Sequence, residues 1–191
     1  MRDDARHRSY SDERRDEQLV DAINRGDQAA FEQLYLRYRD WVVALAYRFT
    51  GDRELALDVL QDVFVYFVRR FPGFELRGKV KTFLYPAVRH TAIAIQSRSR
   101  RMRSMTEVGD PSDASTVFDA GATEDRERLA EAVASLPAAQ REAVLLRFGD
   151  GLSIEEIATA VEAPIGTVKS RLHHALATLR DDPRARDAIR E

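Results

Sequence analysis

The apolar residues between Glu17 and Ser97 recur every three or four positions, which is the spacing of amphipathic helices and not the alternation of strands. The pattern predicts a short first helix that ends at Gly26, and a second helix that begins after Asp27 and ends at Gly51. Its apolar stripe contains Phe31, Leu34, Tyr35, Tyr38, Val42, Leu45 and Phe49. This half of the chain is therefore predicted to be a packed helical bundle.

Two further helices complete the first half. The third is predicted to begin after Asp52 and to stop at Pro72, which cannot continue a helix. The fourth is predicted from Thr82 to about Ser97. Because Pro86 removes a helical hydrogen bond, we expect this helix either to kink there or to become regular only near Tyr85.

A change in composition separates the two halves of the chain. The segment RSRRMR at 98–103 has four Arg, whereas Thr106 to Asp125 contain six acidic residues and no basic one, among Pro, Gly and Ser. This composition predicts a flexible acidic linker over 99–123. We expect an all-α protein of two small helical domains, 17–98 and 124–182, with a disordered extension at 1–16 and a C-terminal tail at 183–191.

The second half contains a short capped helix followed by a turn and a longer helix. Ser153 and Glu156 have the spacing of a capping box at the start of the short helix. A turn is predicted over 162–166, and the longer helix is predicted to begin near Thr167. This order is that of a helix-turn-helix unit, whose second helix enters the DNA major groove.

The longer helix has one apolar and one basic face. The predicted buried stripe contains Val168, Leu172, Ala175, Leu176 and Leu179. The other face offers donors for base edges and cations for phosphates, and it contains Thr167, Lys169, Ser170, Arg171 and His174. An amphipathic helix whose basic face meets only water is the alternative for this segment taken alone.

The composition excludes several classes of chemistry. The 191 residues include no cysteine, and 30 basic against 32 acidic side chains give a net charge of −2. Disulfides, thiolate metal sites and cysteine nucleophiles are thereby excluded, and the four His form no metal-binding motif. We therefore predict no enzyme activity, no cofactor and no metal. The sequence contains no signal peptide or membrane-length apolar run, which favours a cytoplasmic protein without membrane insertion.

The run from Leu136 to Arg180, LPAAQREAVLLRFGDGLSIEEIATAVEAPIGTVKSRLHHALATLR, resembles region 4 of the bacterial sigma-70 family, in particular of its ECF (extracytoplasmic function) group. The resemblance implies that the basic face of the second helix binds the minus-35 promoter element, and that Arg147 contacts phosphate or the polymerase β flap. Glu162 occupies a turn position where the family often has glycine. We expect a slightly different turn there, since a left-handed residue would cost about 1 kcal/mol.

The first half is similar to region 2 of ECF sigma factors through GDRELALDVLQDVFVYFVRRFPGFE at 51–75 and KTFLYPAVRHTAIAIQSRSRR at 81–101. The resemblance implies that the third helix docks on the β′ clamp helices of core RNA polymerase. The residues at matching positions are Asp58, Leu60, Gln61, Asp62 and Phe64. Because Asp58 and Asp62 are four residues apart on one helix face, they are the sharpest candidates for pairing with basic residues. Val63 and Phe67 are expected in the core.

The same resemblance implies a minus-10 DNA site in the loop 74–81 and the fourth helix. The loop would capture a flipped base of the non-template strand while its cations hold the phosphates. The implied DNA-contacting residues are Arg77, Lys79, Lys81, Arg89, His90, Arg98, Arg100, Arg101 and Arg103. Phe83 and Tyr85 are expected in the core, and a solvated charge run is the alternative for RSRRMR.

The chain departs from the family most clearly in this helix. The family commonly has Arg-Asn and then Asp-Arg, where this chain has Arg89-His90 and then Ala94-Ile95, and Pro86 replaces a common Arg. The minus-10 preference is therefore expected to differ. The expected partners are core RNA polymerase, promoter DNA and an anti-sigma factor. The alternative function is a stand-alone helix-turn-helix regulator, which binds DNA without polymerase.

Overall fold

A computed structural model describes residues 15–104 and 124–189, with side chains as far as 102 in the first range and 186 in the second. Every regular element in these two ranges is helical, which confirms the all-α prediction. The described residues divide into two compact units, and the division falls inside one helix, α4: residues 88–98 of α4 group with the first unit and residues 81–87 with the second. Most of the predicted linker, 105–123, lies outside the described residues.

The first unit begins with three helices, α1 (Asp16–Asn24), α2 (Gln28–Thr50) and α3 (Arg53–Val68). The predicted boundaries of α2 are confirmed. Asp27 caps its first turn by accepting a hydrogen bond from Ala30 N at 3.1 Å, and Gly51 ends it in the left-handed conformation at φ 65°. The next cap follows at once, since Asp52 accepts from the first amides of α3.

The core of the first unit lies where α1, α2 and α3 pack together. Its fully buried members include Leu19, Leu34, Val42, Leu45, Val59, Val63 and Phe67. The prediction that Val63 and Phe67 belong to the core is thereby confirmed. Phe67 also stacks edge-on against Phe71 and Phe74, with ring centroids 5.2 and 5.4 Å away. These rings join the end of α3 to the loop that follows it.

The fourth helix is longer than predicted, running over Val80–Ser104 with Pro86 inside it. The RSRRMR segment, which the sequence assigned mostly to the linker, therefore continues the helix. Arg and Met are good helix formers, and each added residue gains a backbone hydrogen bond once the helix exists. The single backbone hydrogen bond that Pro86 cannot donate costs less than these added hydrogen bonds contribute. Gln96 donates from its side chain to Thr50 O at the end of α2, at 3.3 Å.

The second unit contains α5 (Glu124–Ala134), α6 (Ala138–Val144), a π-helical turn at Leu145–Gly149, α7 (Ile154–Ala160), α8 (Ile165–Asp181) and α9 (Pro183–Ile189). Its core includes Leu136, Leu146, Leu152, Ile157, Val168 and Ala175. Phe148 is 63% exposed and lies in the π-helical turn that follows α6.

The C-terminal segment 183–191 was predicted as a disordered tail, but its residues up to Ile189 form α9. Asp182 caps this helix by accepting from Arg184 N at 2.9 Å and from the Arg184 guanidinium at 2.7 Å. Because Arg184 binds it so closely, the pKa of the Asp182 carboxyl is lowered from its usual value. Ala185 is fully buried, and α9 packs on α5 and α8. The segment is too short for its apolar residues to predict a helix from the sequence.

Candidate nucleic-acid and protein interfaces

The capped helix α7 and its turn hold the longer helix α8 in place. The predicted capping box is confirmed: Ser153 N donates to Glu156 Oε2 at 2.7 Å, and Glu156 N donates to Ser153 Oγ at 3.1 Å. Glu162 in the turn has φ 52°, so the expectation of a different turn was wrong. The chain keeps a left-handed turn and places Glu there despite the cost. The two satisfied amides stabilise the start of α7, and the turn at its other end leads into α8.

The faces of α8 largely follow the prediction. Val168, Leu172, Ala175 and Leu179 are buried, whereas Leu176, predicted with them, is 41% exposed. The residues expected to contact DNA share the opposite side. Lys169, Ser170 and His174 are exposed there, and Thr167 and Arg171 are half-buried at its edges. This side of α8 therefore offers hydrogen-bond donors and cations from one helix, as a groove-reading surface requires.

The first turn of α8 contributes a residue that the sequence reasoning missed. The helix begins at Ile165, two residues before the predicted start at Thr167. Ile165 is 44% exposed at the end of the helix that enters a groove in helix-turn-helix proteins. An apolar side chain there is suited to contact with a thymine methyl group. An exposed apolar residue directly after Pro164 was the available signal.

Arg147 lies in the π-helical turn before α7 and has a local structural contact. Its guanidinium Nη1 donates to Leu152 O at 2.8 Å, which ties the turn to the residue preceding the capping box. The side chain is nevertheless exposed. Arg147 thus lies just before α7, and its guanidinium forms a hydrogen bond with the backbone there.

On α3, the structure separates the five predicted polymerase-contacting residues into two groups. Asp58, Gln61 and Asp62 are exposed on its outer side. Leu60 and Phe64 are only 9% and 5% exposed, and they therefore belong to the core and not to the docking surface. The Phe64 ring packs edge-on against Tyr35 at 4.8 Å.

Apolar residues are also exposed on α3, and they are Leu57, Val65, Tyr66 and Val68. Val65 is 42% exposed and Tyr66 is 40% exposed. Arg70 lies 4.6 Å from the Tyr66 ring centroid and also donates to the Tyr66 hydroxyl. The sequence reasoning did not use Val65 and Tyr66, although the helical spacing of Val59, Val63 and Phe67 already places them off the buried face. The exposed surface of α3 thus combines acidic and apolar side chains, and Arg70 follows its end.

The loop between α3 and α4 contains two of the predicted strand-binding cations. Arg77 and Lys79 are exposed, and Arg77 forms an exposed ion pair with Glu75 at 3.2 Å. A groove of about 450 Å³ lies between the loop and α1. Its lining includes Glu17, Asp21, Asn24, Phe74, Glu75 and Arg77. The loop therefore presents both a cationic edge and a concave surface.

The outer side of α4 carries most of the other predicted minus-10 residues. His90, Arg98, Arg100 and Arg101 are exposed, Arg89 and Lys81 are half-buried, and the side chain of Arg103 lies outside the described residues. Tyr85 is buried, as expected of a core residue, and Phe83 is half-buried. The exposed cations share one helix with the exposed apolar pair Ile93 and Ala94. The cations on this side of α4 are suited to contact with phosphates, and Ile93 and Ala94 are suited to contact with apolar groups of the nucleic acid.

Two other kinds of feature are absent from the two described ranges. There, no three His, Cys, Asp or Glu side chains are arranged to hold a metal ion. No described helix combines the length and the apolar character needed to cross a membrane. The surfaces of α3, α4 and α8 are thus the features that remain for a functional interpretation.

Two family descriptions match the chain in sequence order. "Sigma-70 region 2" matches residues 34–102, and "Sigma-70, region 4" matches residues 126–179. The sigma-H factor of Pseudomonas aeruginosa is 31% identical over 177 residues, covering 84% of this chain and 89% of the relative. The ECF sigma-E factor of Escherichia coli K12 is 31% identical over 178 residues, covering 86% and 92%.

Solved structures show the same fold. The sigma factor RpoE of Bartonella quintana, solved with the anti-sigma factor NepR, has a TM-score of 0.60 at 24% identity, over 83% of this chain and 96% of that one. CnrH, solved with the cytosolic domain of CnrY, has a TM-score of 0.59 at 23% identity, over 86% and 94%. Both family regions and full-length relatives agree, and the chain therefore belongs to the sigma-70 family, within the ECF group of RNA polymerase sigma factors.

Proposed function

We propose that this ECF sigma factor binds core RNA polymerase and directs it to promoters that have a minus-35 and a minus-10 element. The observation on which the proposal rests is the pairing of a region 2 and a region 4, in that order, each with an exposed basic helix face. A single helix-turn-helix would support only DNA binding. We assign region 2 to 17–98 and region 4 to 124–182, and we assign no catalysis to the chain.

The minus-35 element is the proposed ligand of α8. Short polar and cationic side chains on its outer side match the donor and acceptor pattern of the major groove. Thr167, Lys169, Ser170, Arg171 and His174 are the assigned contacts, with Ile165 added at the first turn. In this arrangement Lys169 anchors the phosphate backbone, and Arg171 reads a guanine.

The minus-10 strand is the proposed ligand of the loop before α4 and of α4 itself. Arg77 and Lys79 in the loop would hold phosphates of the separated strand, and the exposed cations of α4 would follow the adjoining duplex. The changes from the family's Arg-Asn to Arg89-His90 and from its Asp-Arg to Ala94-Ile95 favour a different base preference. Promoter melting is then supported by capture of the strand after it separates.

The outer side of α3 is the proposed docking surface for the β′ clamp helices of core RNA polymerase. Asp58 and Asp62 are exposed one turn apart and would pair with basic residues, and Val65 and Tyr66 would add apolar contact area. We expect Asp62→Lys to weaken core binding at least about tenfold, because it replaces an attractive charge with a repulsive one. Asp40→Lys, at an exposed position of α2, is the matched charge-reversal control.

Run-off transcription is the test of the whole proposal. Purified bacterial core polymerase is given a randomised promoter library with and without the full chain, and the transcript starts are sequenced. New starts that share two spaced motifs are expected only when the chain is present. If no core complex forms and no new start appears, the proposal fails and a stand-alone regulator becomes the better interpretation.

An anti-sigma factor is the proposed regulator of this chain. The structure of RpoE from Bartonella quintana contains the anti-sigma factor NepR. The structure of CnrH contains the cytosolic domain of CnrY. Because α3, α4 and α8 expose their binding surfaces, a partner that covers any of them would block polymerase or DNA. The proposed place of action is the cytoplasm, where the polymerase works.

A further inference from the structure

Asn24, the last residue of α1, connects this helix to the loop that follows α3. Its Oδ1 accepts hydrogen bonds from Gly73 N at 2.7 Å and Phe74 N at 3.0 Å, and its Nδ2 donates to Phe74 O at 2.8 Å. One half-buried side chain therefore binds three backbone groups almost fifty residues away. Both the donor and the acceptor of Phe74 are engaged, so the orientation of the loop backbone is set on both sides of this residue.

The helix that carries Asn24 is itself firmly attached to α2. Arg37 donates to Asp16 Oδ1 at 2.6 Å, and the Tyr38 hydroxyl donates to the other oxygen of the same carboxylate. Leu19 and Val20 are buried on the inner side of α1. Because the start of α1 is bonded to α2 and its inner side is buried, Asn24 lies on a firmly attached helix.

The backbone of this loop belongs to no helix. No regular element lies between Val68 and Val80, and Gly73 has φ +95°, a conformation that few other residues adopt. The Phe74 ring lies 5.4 Å from both the Phe67 and Phe71 rings and supplies an apolar floor. Packing of the Phe74 ring holds the loop close to the end of α3, whereas the hydrogen bonds of Asn24 set the orientation of its backbone.

We propose that Asn24 is a positioning residue for minus-10 strand capture, acting by aiming the loop segment that presents Arg77 and Lys79. This inference rests on the proposed function, since it assigns a helper to the strand-binding loop. Arg77 is only three residues beyond Phe74, and its ion pair with Glu75 is exposed on both sides and therefore weak. The direction of the backbone after Phe74 thus contributes to where Arg77 lies.

The experiment measures binding of a fluorescent single-stranded minus-10 oligonucleotide to reconstituted holoenzyme. The element comes from the promoters identified by run-off transcription, and a scrambled strand provides the specificity control. Asn24→Ala is expected to bind the strand about tenfold more weakly, because misaimed hydrogen bonds and ion pairs are much weaker than aligned ones. Asn24→Asp keeps the acceptor for both amides but loses the donor to Phe74 O, and it is expected to recover only part of this affinity. Arg25→Ala, at the exposed neighbouring position, is expected to match the wild type.

A second readout separates aiming from general stability. If Asn24 acts through the two cations, Asn24→Ala should flatten the dependence of binding on salt by about 0.7 in the log–log slope for each phosphate that the loop no longer neutralises. Adding Asn24→Ala to a variant that already contains Arg77→Ala and Lys79→Ala should then weaken binding no further. Core affinity and binding to a minus-35 duplex should stay unchanged in Asn24→Ala.

The outcomes separate a failure of the inference about Asn24 from a failure of the proposed minus-10 function. If wild-type holoenzyme does not prefer the minus-10 strand over the scrambled one, the proposed minus-10 function fails and the role of Asn24 fails with it. If the wild type shows the preference and Asn24→Ala equals it, only the inference is overturned. Equal decreases in strand, core and minus-35 binding would also overturn it, since they would reveal a purely structural role.

Discussion

Glu162 lies between α7 and α8 with φ 52°, a backbone conformation that costs a residue with a Cβ about 1 kcal/mol. Its position is dictated by the turn, since Ala163 N donates to Ala158 O at 3.0 Å to close the end of α7. Glycine has no such cost. We therefore expect Glu162→Gly to raise the free energy of unfolding relative to Glu162→Ala by about 1 kcal/mol, measured by urea denaturation of the full chain.

The alanine variant is the necessary reference for Glu162. It removes the contacts of the glutamate side chain while it keeps the left-handed strain, so the difference between Gly and Ala isolates the backbone contribution. Glycine also gives the unfolded chain more freedom, which opposes the gain by a fraction of a kcal/mol. A glycine variant less stable than the alanine variant would show that the turn is not strained.

Arg171 is the residue on α8 for which the proposed DNA contact is most specific. A guanidinium can form two hydrogen bonds with one guanine, and each such pair contributes about 1–3 kcal/mol of discrimination. Arg171→Ala is expected to weaken binding of holoenzyme to the minus-35 element by this amount and to relax preference at one base pair. Competition between duplexes that differ at single positions would measure both effects.

Arg180→Ala is the matched control for Arg171, because it removes the same charge from the exposed last turn of the same helix. It should lower affinity little and leave base preference intact. If both variants weaken binding to every duplex by the same factor, Arg171 contributes only charge and does not read a base.

At the scale of the helix-turn-helix element, the capping box on α7 determines how firmly α8 is held. Ser153→Ala leaves the amide of Glu156 without its partner and is expected to cost about 1 kcal/mol of stability, measured by denaturation. Thr159→Ala deletes a hydroxyl from the same helix that only bonds back to Glu155 O, and it should change stability much less. Equal effects of the two variants would contradict a special role for the cap.

The attachment of α1 to α2 predicts a loss of stability at high pH. Burial, and secondarily the hydrogen bond to Asp16, raise the pKa of the Tyr38 phenol well above its ordinary value of 10.0. The folded state therefore holds the phenol proton more tightly than the unfolded chain does. The resulting stabilisation is complete below pH 10 and is lost as the pH rises through the folded-state pKa.

Tyr38→Phe provides the comparison for this pH dependence. It removes the donor to Asp16 and is expected to cost about 1 kcal/mol at pH 8. The advantage of the wild type over Tyr38→Phe should shrink as the pH is raised above 10, in urea denaturation at a series of pH values. A difference that stays constant to pH 11 and beyond would show that the phenol proton does not couple to folding.

The elements show clearly what the sequence predicts and what it does not. Periodicity and caps predicted α2 and the start of α7, because Asp27, Gly51 and Ser153 act on the backbone within a few residues. Leu60 and Phe64 were assigned to the docking side from the resemblance, although their helical spacing with Val59 and Val63 placed them on the buried face. The helix α9 was also missed, since its burial depends on tertiary contact with α5 and α8.

At the scale of the whole molecule, charge is arranged so that neither unit is a general polycation. The chain has a net charge of −2, and the cations assigned to DNA are divided between the loop before α4, α4 itself and α8. Non-specific affinity for DNA rises with the number of phosphates neutralised together. Each face alone neutralises only a few phosphates, so the affinity of the free chain for DNA should be low.

Core polymerase changes this balance by holding both units at one promoter. Once one face is bound, contact by the other becomes intramolecular, and such linkage raises overall affinity by about 10²–10⁴-fold without any new contact. We therefore expect the free chain to bind a promoter fragment at least about 100-fold more weakly than holoenzyme does, in an electrophoretic or anisotropy titration at one fixed salt concentration. A fragment with only one of the two elements should show little of this gain. Tight, sequence-specific binding by the free chain, unchanged by core, would contradict the sigma mechanism and identify a stand-alone regulator.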